Sequence, residues 1–567
     1  MEVNKKQINE VVVVFLSIIL SLIILTPGNF GEIFGGETWK SWAASKILLA
    51  EGNFVSHTFG ALYYTFLTIL SPLSYKSSII IEYFITHFFC LYGIYKFLNL
   101  KNSKFISILL PIAWIPFLAY IQSPKYILAV AFIFLHLSKM RERKLFDNWF
   151  PPFLLAAVML NWGYVLFYIS HIIGKFLSDF KNKKNSLKLS KNNYSIFGFL
   201  IILFFIFSFT NQSNKPYNNH AIAEMRYTPV ELKSPFAAGF FQYANHRYSQ
   251  QTYKNKNDLI KADWYFTHKK IFGDCKDFLC VIKEKPETLL INIKPNIGWL
   301  SRHFTALFFG LEVSALKLNY FIIFFILALS ISFLGIVGLL YNKTQKILLL
   351  SYIFIGSFGY TLALLITGAP YRYVISLMPI CFLLINFSGL GILSIKEKIN
   401  DKKFKLIESK HIFILIFIII LVSDINFYKK NKFNLQFINF LNHSKSNNIS
   451  TNYFKSYDEV FKKLNKKQKI LSSEVNWFVG FADVNPNNVK GIYVLPPFIP
   501  KDYSITKFLD EFDVITVSNA LKEKMPSMGT QRYLRYKLHL KNYFEENLNK
   551  WDETKIKNYG SIFVRIK

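Results

Sequence analysis

The sequence predicts a polytopic α-helical membrane protein with a C-terminal α/β domain, and three observations predict it. Hydrophobic residues fill 52% of 567 positions and gather in long runs, more than a core surrounded by water would need. The loops between those runs alternate between basic and nearly uncharged. Beyond about residue 428 the runs end, and short β-branched stretches alternate with helical patterns.

The first run, "VVVVFLSIILSLIIL", follows Lys5 and Lys6 and is not followed by a small-x-small cleavage site. It reads as an uncleaved first span with the N-terminus inside. Further spans are expected at about 78–98, 103–121, 125–138, 149–161, 163–177, 195–210, 318–341, 346–367, 372–394 and 411–427, about eleven in all for a hydrocarbon layer of roughly 30 Å. Charge tests this order separately. "KFLNLKNSK", "KMRERK", "KFLSDFKNKKNSLKLSK", "YNKTQK" and "KEKINDKKFK" are basic and belong inside, whereas "IQSPK" and "TGAPYR" are nearly free of charge and belong outside. The transmembrane domain is then 1–427, with a first outer loop at 28–77 and a large outer loop at 211–317. The tail, 428–567, is an extracytoplasmic soluble domain. Its strands are expected in "KILSS", "KGIYVLPP", "FDVITVS" and "GSIFVRI", and a helix in "QRYLRYKLHLKNYFEENL".

A net charge of +32, from 67 Lys and Arg against 35 Asp and Glu, would suggest nucleic acid for a soluble chain. Here the lysines sit in short loops beside apolar runs, so the expected partner is the lipid bilayer and no nucleic acid. The chain has no Gly-rich phosphate loop, which argues against an ATP-driven machine. Of four cysteines, Cys90 and Cys381 lie in apolar runs and read as packing residues. Cys275 and Cys280, in "GDCKDFLC", read as a small disulfide loop, with a zinc site including His268 or two free thiols as alternatives.

The stretch "FGGETWKSWAASKILLAEGNF" follows the first span. Trp39, Trp42, Ala43, Ile47 and Ala50 recur at helical spacing, with Ser41 and Ser45 opposite. This predicts an interfacial helix ending near Gly52, with a second in "GALYYTFLTILSPL". Glu37 stands at the start, where a carboxylate caps exposed N–H groups and meets a favourable dipole, worth about 0.5–2 kcal/mol. The alternative is a catalytic role. Glu82, in "SSIIIEYF" near the outer end of the second span, either lines a channel, as ionisable groups at membrane depth commonly do, or is solvated at the interface. His87, His136 and His171 show no ligand spacing and read as packed or interfacial, and Asp424 as a head-group residue.

The order of parts resembles the GT-C class of integral-membrane glycosyltransferases, of the mannosyltransferase and aminoarabinose-transferase type. "GGETWKSWAASKILLAEGNF" is similar to that class's outer loop opening on an acidic residue, and "GAPYRYVISLMPICFLLINFSG" is similar to its Arg-Tyr and Pro pattern at the outer end of a late span. The resemblance implies an enzyme in a bacterial-type cytoplasmic (inner) membrane. It would take a sugar from a polyprenyl-phosphate-linked donor and pass it to a glycan, lipid or protein acceptor outside. Glu37 is then the candidate general base, and Arg302, His303, Arg372 and Lys40 are candidates for the departing phosphate, with Glu82 lining the acceptor or lipid channel. Direct transfer would invert the anomeric carbon. The class commonly has Asp where Glu37 stands, and a second carboxylate in an outer turn that here reads "YIQSPKYI". A divalent Mg or Mn is compatible with the class but prefers several oxygen ligands. Two other readings stand beside this one: an O-antigen-type polymerase or ligase using outer-loop arginines such as Arg226 and Arg247, and a transporter or flippase without chemistry.

Overall fold

In the computed structural model, residues 11, 12, 14, 15, 45, 61–73, 75–98, 124–141, 149–181, 196–203, 240, 241, 244, 247, 248, 270–275, 277–309, 318–341, 346–368, 371–399, 411, 412, 414, 415, 467–472, 488–491, 505–518, 540, 542–556 and 560–566 are described. Glu37, Lys40, Arg226, His268, Asp424 and the segment 103–121 lie outside the described residues.

The described chain is mostly helical. In order come α1 (Ala61–Leu70), α2 (Tyr75–Leu98), α3 (Pro124–Arg141), α4 (Pro152–Leu160), α5 (Val165–Lys181), α6 (Phe278–Glu284), α7 (Leu290–Phe309), α8 (Leu318–Tyr341), α9 (Lys346–Thr367) and α10 (Met378–Ile399). Among the described residues, three helices are long and apolar enough to cross a membrane: Phe321–Tyr341, Lys346–Thr367 and Ile375–Ile395. The sequence places a span at 149–161, but α4 has nine residues and rises only about 14 Å, roughly half a hydrocarbon layer. It stops where Asn161 takes extended backbone and accepts from the Gly163 N–H.

Polarity is inverted in these helices. On α5 the residues Ser170, His171, Lys175, Ser178 and Asp179 are buried, while Ile169, Ile173, Phe176, Leu177 and Phe180 are exposed. In water this would expose an apolar stripe and bury charge; against lipid tails it is the favourable arrangement. The buried Lys175 donates to Asp179 at 2.9 Å one turn on, and its ammonium also lies 5.2 Å from the Trp149 ring centre. Apolar residues likewise project outward from α8 (Ile322, Ile326, Phe333) and α9 (Phe354, Phe358).

Small residues set how closely these helices approach. α8 and α10 meet along Gly335, Gly338 and Gly391: a Cβ on Gly338 would overlap the Phe387 carbonyl oxygen, and one on Gly391 that of Leu334. With no water to drive apolar surfaces together, such close backbone contact is a main source of helix association. The α5–α9 crossing is similar, with Gly174 against Leu348 and Ser351 and the Ser351 hydroxyl donating to the Ser170 carbonyl at 2.7 Å. α9 contains one π turn, Tyr352–Ser357, and ends at Gly368, whose φ of 152° suits a residue without Cβ.

The sheet lies in the tail. β1 (Ile470–Ser472), β2 (Val489–Gly491), β3 (Val514–Ser518), β4 (Trp551–Ile556) and β5 (Gly560–Arg565) run in the order β2-β1-β3-β5-β4. β1 pairs in parallel with β2 and β3, and β5 is antiparallel to both β3 and β4. One face packs Leu471, Ile515, Phe563 and Trp551 against Leu540 and Tyr543 as a cluster of its own. Asp510 accepts from Tyr543 and from Arg565, each at 2.6 Å.

The glycine seam yields a direct comparison. Gly338→Ala forces α8 away from α10 and is expected to cost about 1–3 kcal/mol. A Cβ at Gly298 meets nothing within 4 Å, so Gly298→Ala is expected to be neutral or to stabilise by up to about 1 kcal/mol. Thermal unfolding of the two detergent-solubilised variants checks this, and equal melting shifts would refute the seam.

Candidate functional site

α7 carries two of the described candidates, Arg302 and His303. Asn292, Asn296 and His303 lie on its buried side, and Leu290, Ile297, Trp299 and Arg302 on its exposed side. The exposed side thus joins a tryptophan, aliphatic residues and a guanidinium, a combination suited to a membrane–water boundary. Arg302 is exposed with its guanidinium carbon 5.9 Å from the Phe321 ring centre on α8. His303, its neighbour in sequence, turns the other way and is 3% exposed, with its ring centre 5.5 Å from that of Trp299. The two adjacent basic residues therefore do not face one ligand together.

The buried side of α7 joins it to the end of α9. The Asn292 amide donates to the carbonyls of Phe240 and Ile366, each at 3.1 Å. That of Asn296 donates to Leu364 at 3.2 Å and Leu365 at 2.8 Å. The Leu364, Leu365 and Ile366 carbonyls belong to the last turn of α9, where helical N–H partners run out, although Leu364 also accepts from the Gly368 N–H at 3.0 Å. Arg247 completes the junction, donating to the carbonyl and side-chain oxygens of Asn292 at 2.9 and 3.1 Å and to the side-chain oxygen of Asn296. Its charge sits near the negative end of the α9 dipole.

Beside this junction Phe240, Phe241, Ile271, Phe272 and Val281 form an apolar cluster. Cys275 and Cys280 are bonded to each other there, with Cα atoms 5.5 Å apart. Asp277 caps α6 between them, accepting from the Cys280 N–H at 2.8 Å. Glu284 stands 3.7 Å from the Cys275 sulfur. Among the described residues, Cys275, Cys280 and Glu284 are the one group of His, Cys, Asp and Glu close enough to share a metal. With its sulfurs bonded to each other, it is not the oxygen-rich set that Mg or Mn takes.

Glu82 is completely buried, which removes the solvated reading. Its Oε1 accepts from the Tyr63 hydroxyl of α1, and its Oε2 has no hydrogen-bond partner. Ser45, expected on the polar side of the first interfacial helix, is also buried, and its hydroxyl points to the Tyr64 carbonyl at 3.4 Å. Arg372 is the second residue of the short helix Tyr371–Val374; its side chain lies outside the described ones.

One cluster had no signal in the sequence. Tyr352, at the π turn of α9, meets His136 Nε2 at 2.7 Å and His171 Nδ1 at 2.6 Å, all three side chains being buried. A hydroxyl can accept from one ring while donating to the other, and because the contacts are to Nε2 of one histidine and Nδ1 of the other, the two rings then hold the same tautomer. It joins α3, α5 and α9 through one oxygen. The three residues are far apart in the chain, so spacing could not reveal them.

No family model matches the chain, and neither a curated protein nor a solved structure does.

Burial holds the His303 imidazole at about 4, below its ordinary 6.5. The folded form resists a proton that the unfolded chain accepts, so the stability from neutral His303 is complete above pH 6.5 and is lost as the pH falls toward 4. His303→Gln is accordingly expected to flatten the acid side of a melting-temperature-against-pH curve, and identical acid slopes would refute this. Arg247→Ala leaves Asn292 and Asn296 oxygens unpaired and is expected to cost about 1–3 kcal/mol in thermal unfolding.

Proposed function

We propose that the chain is a membrane glycosyltransferase of GT-C type. It takes a sugar from a polyprenyl-phosphate-linked donor and passes it, with inversion, to a glycan, lipid or protein acceptor outside the cytoplasmic membrane. About eleven spans, an inside N-terminus and an outside tail belong to this reading. The observation that carries it is the exposed side of α7, where Arg302 stands beside Trp299 immediately ahead of the membrane-length helix α8. A guanidinium at that depth suits a lipid-linked phosphate: it is always charged, it offers paired donors to phosphate oxygens, and it gains strength where water is scarce. Glu37, in the loop after the first span, is the proposed base. A carboxylate within hydrogen-bond reach of the acceptor hydroxyl removes its proton as the oxygen attacks the anomeric carbon. The phosphate leaves with the bonding pair, and basic groups such as Arg302 and Arg372 stabilise the charge that develops.

The polymerase or ligase reading needs free outer-loop arginines. Arg247 is committed to Asn292 and Asn296, which favours a structural role for it. The transferase reading is tested by the surface glycans and lipid-linked sugars of cells lacking the protein, complemented with wild type or Glu37→Gln at equal membrane abundance. A general base contributes about 10²–10⁴-fold, so Glu37→Gln should leave the donor accumulated and the acceptor bare. Full complementation by this variant would return Glu37 to helix capping.

A further inference from the structure

Glu82 carries the strongest unexplained chemistry in the described molecule. It lies on α2 in the apolar stretch "SSIIIEYF" and has no exposed surface. One carboxyl oxygen takes the Tyr63 hydroxyl, the other has no hydrogen-bond partner, and no ion pair to it occurs among the described residues. An ionised carboxylate so enclosed, without a cation or a full set of donors, is among the costliest arrangements a protein can hold. A neutral carboxylic acid removes that cost.

Among the described side chains, no lysine or arginine is paired with Glu82; Lys76 stands six residues before it on α2, with its side chain outside the described ones. α1 offers Tyr63 and Tyr64. α2 itself carries His87 further along, buried, and Lys96 near its far end, 5.5 Å from the Tyr92 ring centre. α3, which packs along α2, carries Lys125, Tyr126, His136 and Lys139; Lys125 lies 5.0 Å from the Tyr126 ring centre, and His136 bonds Tyr352. The described N-terminal residues near α2, Val14 against Leu91 and Tyr95 and Phe15 against Phe84, are apolar.

We infer that Glu82 is a proton-binding site inside the helical domain: a carboxylic acid that carries an exchangeable proton, with Tyr63 holding it across the α1–α2 junction. The ligand is the proton itself, taken up as carboxylate plus H⁺ giving the acid. The Tyr63 hydroxyl donates to the carboxylate; once the group is protonated, the bare oxygen gains an O–H and the pair is left with a donor to place. Proton occupancy therefore alters the charge and the hydrogen bonding between α1 and α2. The inference does not depend on the transferase reading, and its test reads no sugar transfer.

The test is infrared difference spectroscopy of the full chain in lipid nanodiscs, wild type minus Glu82→Gln, near neutral pH. The expected result is the carbonyl stretch of a protonated carboxylic acid that shifts in D₂O, as an exchangeable proton requires. Tyr63→Phe, which removes the donor to the charged form, should carry that band to higher pH. Carboxylate stretches in place of the acid band would overturn the site, and so would an acid band that does not shift in D₂O. Treatment of wild-type membranes with dicyclohexylcarbodiimide, which adds to protonated buried carboxyl groups, needs no variant. An N-acylurea on Glu82 that declines as pH rises supports the site, and an unmodified Glu82 across the pH range overturns it.

Discussion

Polar groups buried among these helices depend on partners within the chain, because lipid tails supply neither donors nor acceptors, and a group left without one, such as Glu82 Oε2, stands out. Most of the described structure follows from this constraint. Lys175 and Asp179 close on each other one turn apart. Serine and threonine hydroxyls bend back to carbonyls three or four residues earlier, as Thr86 does to Glu82 and Thr305 to Ser301. The outward faces, relieved of polar groups, become aliphatic and aromatic. What holds the helices together is then shape, through glycines that allow backbones to touch, and a few shared hydrogen bonds.

The junction of α7 with α9 is the same constraint acting at a helix end. A helix that finishes inside a protein leaves carbonyls that must be met by something other than water. Here two asparagines four residues apart on α7 deliver four donors to one turn of α9 and to Phe240, and Arg247 occupies their oxygens in turn. The disulfide-closed segment and the phenylalanine cluster pack beside it. Arg302 is presented from the opposite side of the same helix. The exposed side of α7 is therefore braced by contacts made on its opposite side.

Much of this architecture is legible in the residues. Apolar runs of 18 or more residues announce α8 and α9, and β-branched runs bounded by turn residues announce β1, β3 and β5. β4, "WDETKI", was not legible, because alternating charge and apolar residues on an edge strand resemble a loop until a partner strand is known. The short α4 was not legible either: its composition is that of a span, and only the extended backbone at Asn161 ends it. Of the candidate site, Arg302 and the Cys275–Cys280 pair could be named from their surroundings in sequence. The burial of Glu82 depends on Tyr63, a different helix, and the His136–Tyr352–His171 contact on three elements converging. Pairings of this kind are tertiary facts and leave no local pattern.

The π turn at Tyr352–Ser357 also acts on the phase of α9. Each residue of an α-helix advances about 100° around the axis, and a π turn accommodates one residue more than an α turn does. The two halves of α9 are consequently offset in rotation by about one residue. The lower half presents Tyr352 to the two histidines, and the upper half presents its final carbonyls to Asn292 and Asn296. In a uniform helix, satisfying one of these sets would misalign the other. The extra residue works as a gear tooth, letting one continuous span mesh with two sets of neighbours whose angular positions do not share a helical period.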